Sequence, residues 1–474
     1  MRILFVVYDN ESYIPQFPIG LAQLTSVLEK NGHSVELFLQ DVHHLPAHAL
    51  TELLDNEHFD MAGLSFIGGY WQYRKAQELS RAINASKNRP FYCIGGHGPA
   101  PEPEYFMRLT GADAVCIGEG DETILDICRA VAGEISLADV KGIAWRRSSD
   151  RKPRAKTDGG GEFAVNERRP LIQDIDALPL PAYHRFPINV YRLLRMPNCA
   201  ATDFCMPMLS GRGCTFHCNF CYRMDKGFRP RSNEAIIEEM RLLHKEYGIT
   251  YIAFFDELLM SSVERTVSLC NDILKSGLPL KWDCNGRLNY AKPDVLRLMK
   301  QAGCVFINYG IECFDDKVLK NMHKGLTTKQ ITRGIEATLS AGISPGLNII
   351  FGNHGENRRT LMQGVDFLLK YDDGAQLRTI RPVTPYPGTE LYYDAIRCGK
   401  LKDCDDFYRN KHTNSDLMAI NFTELTDNEY YDCLYEANAI LLDNYNKRVL
   451  QRNRDTLTSL YKNHDPSFRG FRHF

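Results

Sequence analysis

Apolar positions fall in short runs at 3–8, 35–39, 61–67, 91–94 and 114–117, separated by amphipathic stretches such as 21–31 and 71–85. Runs this short read as buried strands, and their alternation with helical periodicity predicts a parallel, doubly wound α/β sheet. Such sheets hold their ligand at the carboxyl ends of the strands. Those ends are small and polar here: Ser65 and Gly68-Gly69, then Gly95-Gly96-His97-Gly98, then Gly118-Glu119-Gly120. Glycines let a backbone approach a ligand closely, although they also serve ordinary turns. The loop after the first strand, Asp9-Asn10-Glu11-Ser12-Tyr13-Ile14, contains no glycine. The G-x-G-x-x-G fingerprint of a dinucleotide site is therefore absent. The glycines predict instead a long ligand laid across the third, fourth and fifth strands.

The pattern then changes. Residues 146–152 and Gly159-Gly160-Gly161 are polar and turn-rich, consistent with a small hairpin or solvated loop, and 174–187 is an extended, proline-rich connector. Further strands are expected near 249–256, 279–288, 303–312, 345–353 and 376–384, with helices such as 233–247 and 328–342 between them. With the short apolar stretch at 206–209 they make six strand–helix units. The expected division is 1–145, a linker 146–195, a second α/β domain 196–398 and a helical C-terminal domain 399–474. In the last, Thr426-Asp427-Asn428-Glu429 reads as a capping box opening a helix towards Asn446. The basic run 447–454 reads as a solvated helix face, and Tyr430, Tyr431 and Tyr435 read as core or as a lining of the substrate side.

Length agrees: 474 residues suggest about three units. A formal net charge of −2, from 57 Lys+Arg and 59 Asp+Glu, gives no support for a nucleic-acid partner. No run of 18 apolar residues occurs, and the opening MRILFVVY is too short for a signal h-region, so no transmembrane segment and a cytoplasmic location are expected. In that compartment 15 cysteines are not a disulfide framework.

The sharpest feature is Gly211-Arg212-Gly213-Cys214-Thr215-Phe216-His217-Cys218-Asn219-Phe220-Cys221-Tyr222. Three cysteines spaced C-x3-C-x2-C on a loop suit an iron–sulfur cluster, and three ligands leave one iron of a four-iron cluster open. Structural zinc competes, with Cys205 or His217 as a fourth ligand, although the spacing matches no usual finger.

This motif resembles the cluster loop of radical S-adenosylmethionine (SAM) enzymes, and the N-terminal unit is similar to their cobalamin-binding domain. DIDALPLPAY in the connector, NYGIECFDDKVLKNMHKGLT at 308–327 and PVTPYPGTELY at 382–392 extend the likeness over about residues 1–400. The resemblance implies a Rossmann-like cobalamin domain followed by a partial (β/α)6 barrel. It implies a [4Fe-4S] cluster on Cys214, Cys218 and Cys221, with SAM bound to the open iron. Barrel chemistry gathers at the carboxyl ends of strands. SAM contacts are accordingly expected from Asp256, Glu257, Asn285, Arg287, Glu312, Asn353 and Arg381, with Phe220 against adenine. Gly352-Asn353-His354-Gly355-Glu356 stands where relatives more often read Gly-Leu-Pro-Gly-Glu. Cobalamin contacts are expected from Ser65, Gly95, Gly96, His97, Gly118 and Glu119.

The activity implied is methyl transfer to an unactivated carbon through a 5′-deoxyadenosyl radical and methylcobalamin. Ring closure, rearrangement and sulfur insertion use the same cofactors. A transfer-RNA methylthiotransferase would carry extra N-terminal cluster cysteines and a basic tail; a cobalamin carrier or zinc-binding protein would lack SAM cleavage. The implied partners are a small-molecule or peptide substrate and a reductant such as flavodoxin or ferredoxin. Cobalamin modules of the D-x-H-x-x-G type place an imidazole in the first loop, where this chain has Glu11. Asp41-x-His43 reads as surface loop, so no lower cobalt ligand is expected from the first loop.

Overall fold

The five apolar runs become the parallel strands β1 (Arg2–Val7), β2 (Ser34–Leu39), β3 (Met61–Ser65), β4 (Phe91–Gly95) and β5 (Ala114–Cys116) in the computed structural model. The structure describes residues 1–12, 14–147 and 162–467. The sheet order is β2-β1-β3-β4-β5, extended by β6 (Ile143–Arg146) and β7 (Phe163–Val165), which pair antiparallel. Ile3, Leu4, Phe5 and Val6 are buried, as a strand covered by helices on both faces requires. β6 and β7 are the arms of the expected hairpin, whose Gly159–Gly161 turn lies outside the described residues.

The chain divides into two compact units that cross the expected boundaries. The first unit holds residues 1–194, 220–231 and 384–415. Residues 162–194 of the expected linker thus belong to the first unit. Phe17 stacks on Tyr183 at 5.3 Å and meets Phe186 and Tyr191 edge-on. Tyr191 Oη donates to buried Asp41 at 2.8 Å, so Asp41 is interior rather than surface loop, and burial pushes its pKa up to about 7. Residues 384–415, expected in the second and last domains, join the first unit through aromatic contacts. Tyr408 stacks on Tyr73 at 4.4 Å and its hydroxyl donates to the Gly68 carbonyl at 3.1 Å.

The second unit holds 195–219, 232–383 and 416–474. In chain order come β8 (Cys205–Met208), the short strand β9 (Gly211–Cys214) and, within the first unit, β10 (Gly227–Pro230). The second unit continues with β11 (Tyr251–Phe254), β12 (Lys281–Gly286), β13 (Cys304–Glu312), β14 (Ser344–Phe351) and β15 (Arg381–Pro382). Its parallel sheet runs β8-β11-β12-β13-β14-β15, each strand beside the next in sequence, which makes a curled half-barrel of six. Helices between the strands start on side-chain caps at Ser232, Ser262, Thr327 and Asn357.

β15 is shorter than the expected 376–384. Pro382 has no N–H for a ladder, and Asn438 brackets Ile380, accepting its N–H at 2.8 Å and donating to its carbonyl at 3.0 Å. Asn438 belongs to the helix Asp427–Tyr461, opened by the expected capping box but continuing beyond Asn446. Part of its basic run is no solvated face. Arg448 donates to the Asp372 carbonyl and Arg452 to the Gly374 carbonyl, closing the C-terminal end of the helix Arg358–Tyr371. Tyr430 is core, whereas Tyr431 and Tyr435 are exposed. Among the described residues no helix is long and apolar enough to cross a membrane.

Candidate functional site

The carboxyl edge of the first sheet forms a glycine-lined cradle. The loop after β3 is zipped to the loop after β4: Phe66 N–H donates to the Gly95 carbonyl and Gly98 N–H to the Phe66 carbonyl, both at 3.1 Å. Gly96 has φ +99° and a Cβ there would lie 2.5 Å from the Phe66 carbonyl, so no other residue fits. Gly118 also has φ +99°, but nothing lies within 4 Å of its Cβ position. The space above it is open for a ligand.

Ser65 ends β3 at the rim, paired in register with Gly95. His97 is accessible and sits edge-on to Tyr222 at 6.1 Å; the burial it does have lowers its pKa against an opposing pull from Asp225. Glu119, expected at the ligand, is committed elsewhere. Arg229 grips it with two bonds of 2.9 and 3.0 Å, and it accepts the Ile172 N–H at 2.9 Å.

In the second unit Arg287 organises the cysteine loop. Its guanidinium lies 3.4 Å over the Phe216 ring, reaches the Cys218 sulfur at 3.9 Å and donates to the Lys324 carbonyl. Burial raises the pKa of Cys214, and nearby Glu257 adds to this, while the Phe216 N–H and Arg287 oppose it. Cys214 and Cys218 are half-buried beside this cation; Cys221 is exposed and, with Phe220, lies in the first unit. None of the 15 cysteines is in a disulfide. Among the described residues no three Cys, His, Asp or Glu side chains are assembled as a metal site. The donor set nevertheless fits a cluster: loop thiols that a bound iron group would ionise, next to an arginine that offsets the added negative charge. The zinc alternative loses Cys205, which is buried at the amino end of β8 with its sulfur 2.9 Å from Cys199.

Two of the residues expected at SAM, Asp256 and Asn353, brace the loop. Asp256 accepts the Ser210 N–H at 2.5 Å and the Ser210 hydroxyl, fixing the residue just before Gly211. Glu257 at the same strand end is exposed. Asn353 is fully buried and pairs with Asn219, between Cys218 and Phe220, at 3.3 and 3.4 Å. Arg381 is exposed and pairs with Asp416 at 3.2 Å.

Glu312 has φ +67° at a register shift in β13, where its buried carboxylate meets buried Lys324 at 2.8 Å. The sequence pattern contains no sign of that partner. Asn285 heads a ladder across three strands whose lower members, Asn308 and Asn348, were not expected at the site. Asn285 Nδ2 donates to the Asp256 carbonyl at 2.7 Å, Asn308 Nδ2 to Asn285 Oδ1 at 3.0 Å, and Asn348 Nδ2 to Asn308 Oδ1 at 2.7 Å. The main-chain carbonyl can only accept, so the orientation of every amide is fixed.

Glu356, also missed, accepts the N–H groups of Gly352 and Asn353 at 2.7 and 2.8 Å, and burial pushes its pKa from 4.5 up to about 7. The native chain keeps this proton longer than the unfolded one, so its contribution to stability falls as pH rises from about 4.5 to 7 and is level above that. One oxygen takes both N–H bonds, so a Gln can replace it. Glu356→Gln is expected to flatten that slope by up to about 3 kcal/mol, read from denaturant unfolding at pH 5 and pH 7.5.

Residues 208–368 match the family model for the radical SAM superfamily, and residues 7–127 that for the B12 binding domain. The chain is 30% identical over 409 residues to an uncharacterised methyltransferase of Pyrococcus horikoshii, covering 84% of this chain and 83% of that protein. It is 23% identical to the anaerobic magnesium-protoporphyrin IX monomethyl ester cyclase of Rubrivivax gelatinosus, over 83% of this chain and 70% of the cyclase. Among solved structures, the radical SAM methyltransferase TsrM of Kitasatospora setae, with cobalamin and a [4Fe-4S] cluster bound, superposes with TM-score 0.71 at 17% identity, over 93% of this chain and 88% of its own. The cobalamin-dependent radical enzyme OxsB gives 0.63 at 21% identity over 84% of this chain, which spans 55% of OxsB.

Proposed function

Because this chain belongs to the cobalamin-dependent radical SAM enzymes, with a [4Fe-4S] cluster, SAM and cobalamin as its cofactors, we propose that it methylates an unactivated sp3 carbon of a small molecule. The observation that carries this reading is the pairing, in one chain, of an open glycine cradle on a B12-binding unit with a three-cysteine loop on a half-barrel. In it Cys214, Cys218 and Cys221 hold the cluster, and Ser65, Gly95, Gly96, His97 and Gly118 border cobalamin. When bound, these groups supply a radical that abstracts hydrogen and a methyl group that replaces it.

The chain's own contribution is position and charge. Arg287, stacked on Phe216, holds the loop and places a cation beside its sulfurs. Asp256 and Asn353 pin the loop's two ends through Ser210 and Asn219. The asparagine ladder ties β12, β13 and β14 together through amides of fixed orientation. A flavodoxin- or ferredoxin-like reductant and a reducing, cytoplasmic setting belong to the same reading.

Ring closure is the second reading, favoured by the likeness to the Rubrivivax cyclase. Anaerobic incubation with SAM and candidate acceptors separates the two. Methylation yields S-adenosylhomocysteine and 5′-deoxyadenosine in equal amounts. Cyclisation yields 5′-deoxyadenosine without S-adenosylhomocysteine, and that result would replace the proposal.

A further inference from the structure

The 35-residue helix Asp427–Tyr461 has an outer face that the reading above does not use. Tyr430, Leu434, Ala437 and Leu441 are buried and mark its inner face. Six large apolar side chains are exposed: Tyr431, Tyr435, Leu442, Leu450, Leu457 and Tyr461, with Tyr435 78% and Tyr461 71% exposed. At about 100° per residue they fall within an arc of about 120°, a single stripe about 45 Å long. Scattered exposed apolar residues are ordinary, whereas a continuous stripe marks a surface that another body covers.

The stripe is symmetric along the chain. Counting outward from Asn446, Leu442 and Leu450 stand four residues away on either side, Tyr435 and Leu457 eleven, and Tyr431 and Tyr461 fifteen. Asn446 itself is exposed, and its position falls in the middle of the same arc. The charge reverses at the same point. Residues 427–446 carry five acids and no Lys or Arg, whereas 447–461 carry four Lys or Arg and one acid. Arg448 and Arg452 donate to main-chain carbonyls, but Asp443 and Lys447 are exposed beside the stripe.

A helix whose apolar positions mirror each other about one residue, while its charges reverse there, fits a copy of itself laid antiparallel. The mirrored positions then meet across a two-fold axis, and each acidic half faces a basic one. A parallel copy would set acid on acid. An amide both donates and accepts, so Asn446 can bond the partner's Asn446 on the axis.

We propose that the helix Asp427–Tyr461 is a homodimer interface, packed antiparallel on the same helix of a second copy about a two-fold axis at Asn446. Leu442 lies against the partner's Leu450, Tyr435 against the partner's Leu457 and Asp443 beside the partner's Lys447, each contact made twice. The inference involves no cofactor and no reaction, so it stands or falls apart from methyl transfer.

The test is sedimentation equilibrium of the full-length, cofactor-loaded chain over a range of concentrations. The wild type is expected to approach twice the mass of one chain. Leu442→Glu places a carboxylate in the apolar seam at two points and should weaken association at least about a hundredfold. Asp443→Lys should also weaken it, because the new cation faces the partner's Lys447. Adding Lys447→Asp should restore wild-type association, since the pair is only exchanged. Unchanged iron and cobalamin content in each variant shows that the fold is intact. Orientation is read by a benzoylphenylalanine in place of Tyr431, which should crosslink to the partner within 457–462. A monomer at every concentration, a dimer indifferent to Leu442→Glu, a double variant no tighter than Asp443→Lys, or a crosslink to the partner within 427–435 would each overturn the assignment. A monomer that floats with vesicles of anionic phospholipid would overturn it in favour of a membrane surface.

Discussion

A chain carrying Cys214→Ala, Cys218→Ala and Cys221→Ala is expected to purify without brown colour, its iron falling from about four per chain to near zero. SAM cleavage should fall below detection, because the iron that would bind SAM is gone. Each single substitution should do nearly the same, since three thiolates are the minimum set and no fourth cysteine stands in. Cys205 is the control. It is buried against Cys199 at the far end of β8, so Cys205→Ala should keep iron and sulfide at wild-type levels. Fold is checked independently by cobalamin retention, which depends on the first unit. Iron persisting in the triple variant would remove the cysteine loop from the account.

Lys324→Met is expected to be among the most destabilising single changes outside the apolar core. It leaves the Glu312 carboxylate buried at a left-handed position without its 2.8 Å partner. Removing one partner of a buried ion pair costs about 3–5 kcal/mol, because the remaining charge is uncompensated. The main-chain carbonyl of residue 324, which Arg287 holds, stays in place, so the effect should register first as stability. Adding Glu312→Gln should recover most of the loss, since a neutral amide is far cheaper to bury. Urea unfolding of the wild type, both single variants and the double variant measures the coupling. A double variant no better than Lys324→Met would mean that Lys324 acts through packing alone.

These two cases also mark what the sequence could and could not disclose. The strands β1 to β5 were legible because both faces are covered, so each reads as an apolar run. The three-cysteine loop was legible as a motif because its spacing is local in the chain. Lys324 was not, because its contact with Glu312 passes through a bulge and a positive φ that no periodicity reports. Strand-end position picks out Asp256 and Arg287 as candidate site residues, but their partners are a backbone N–H at Ser210 and a ring at Phe216, which only the folded chain brings near. The same holds for residues 384–415, claimed by the first unit through Tyr408 on Tyr73. Asp41 was misread because short polar stretches after strands usually face water, whereas Tyr191 covers this one.

The most direct test of the central claim is the amount of S-adenosylhomocysteine formed when SAM is added to the reduced, cobalamin-loaded chain under anaerobic conditions. The account predicts about one S-adenosylhomocysteine per bound cobalamin and none in cobalamin-free chain. Cleavage to 5′-deoxyadenosine alone, equal with and without cobalamin, would contradict it.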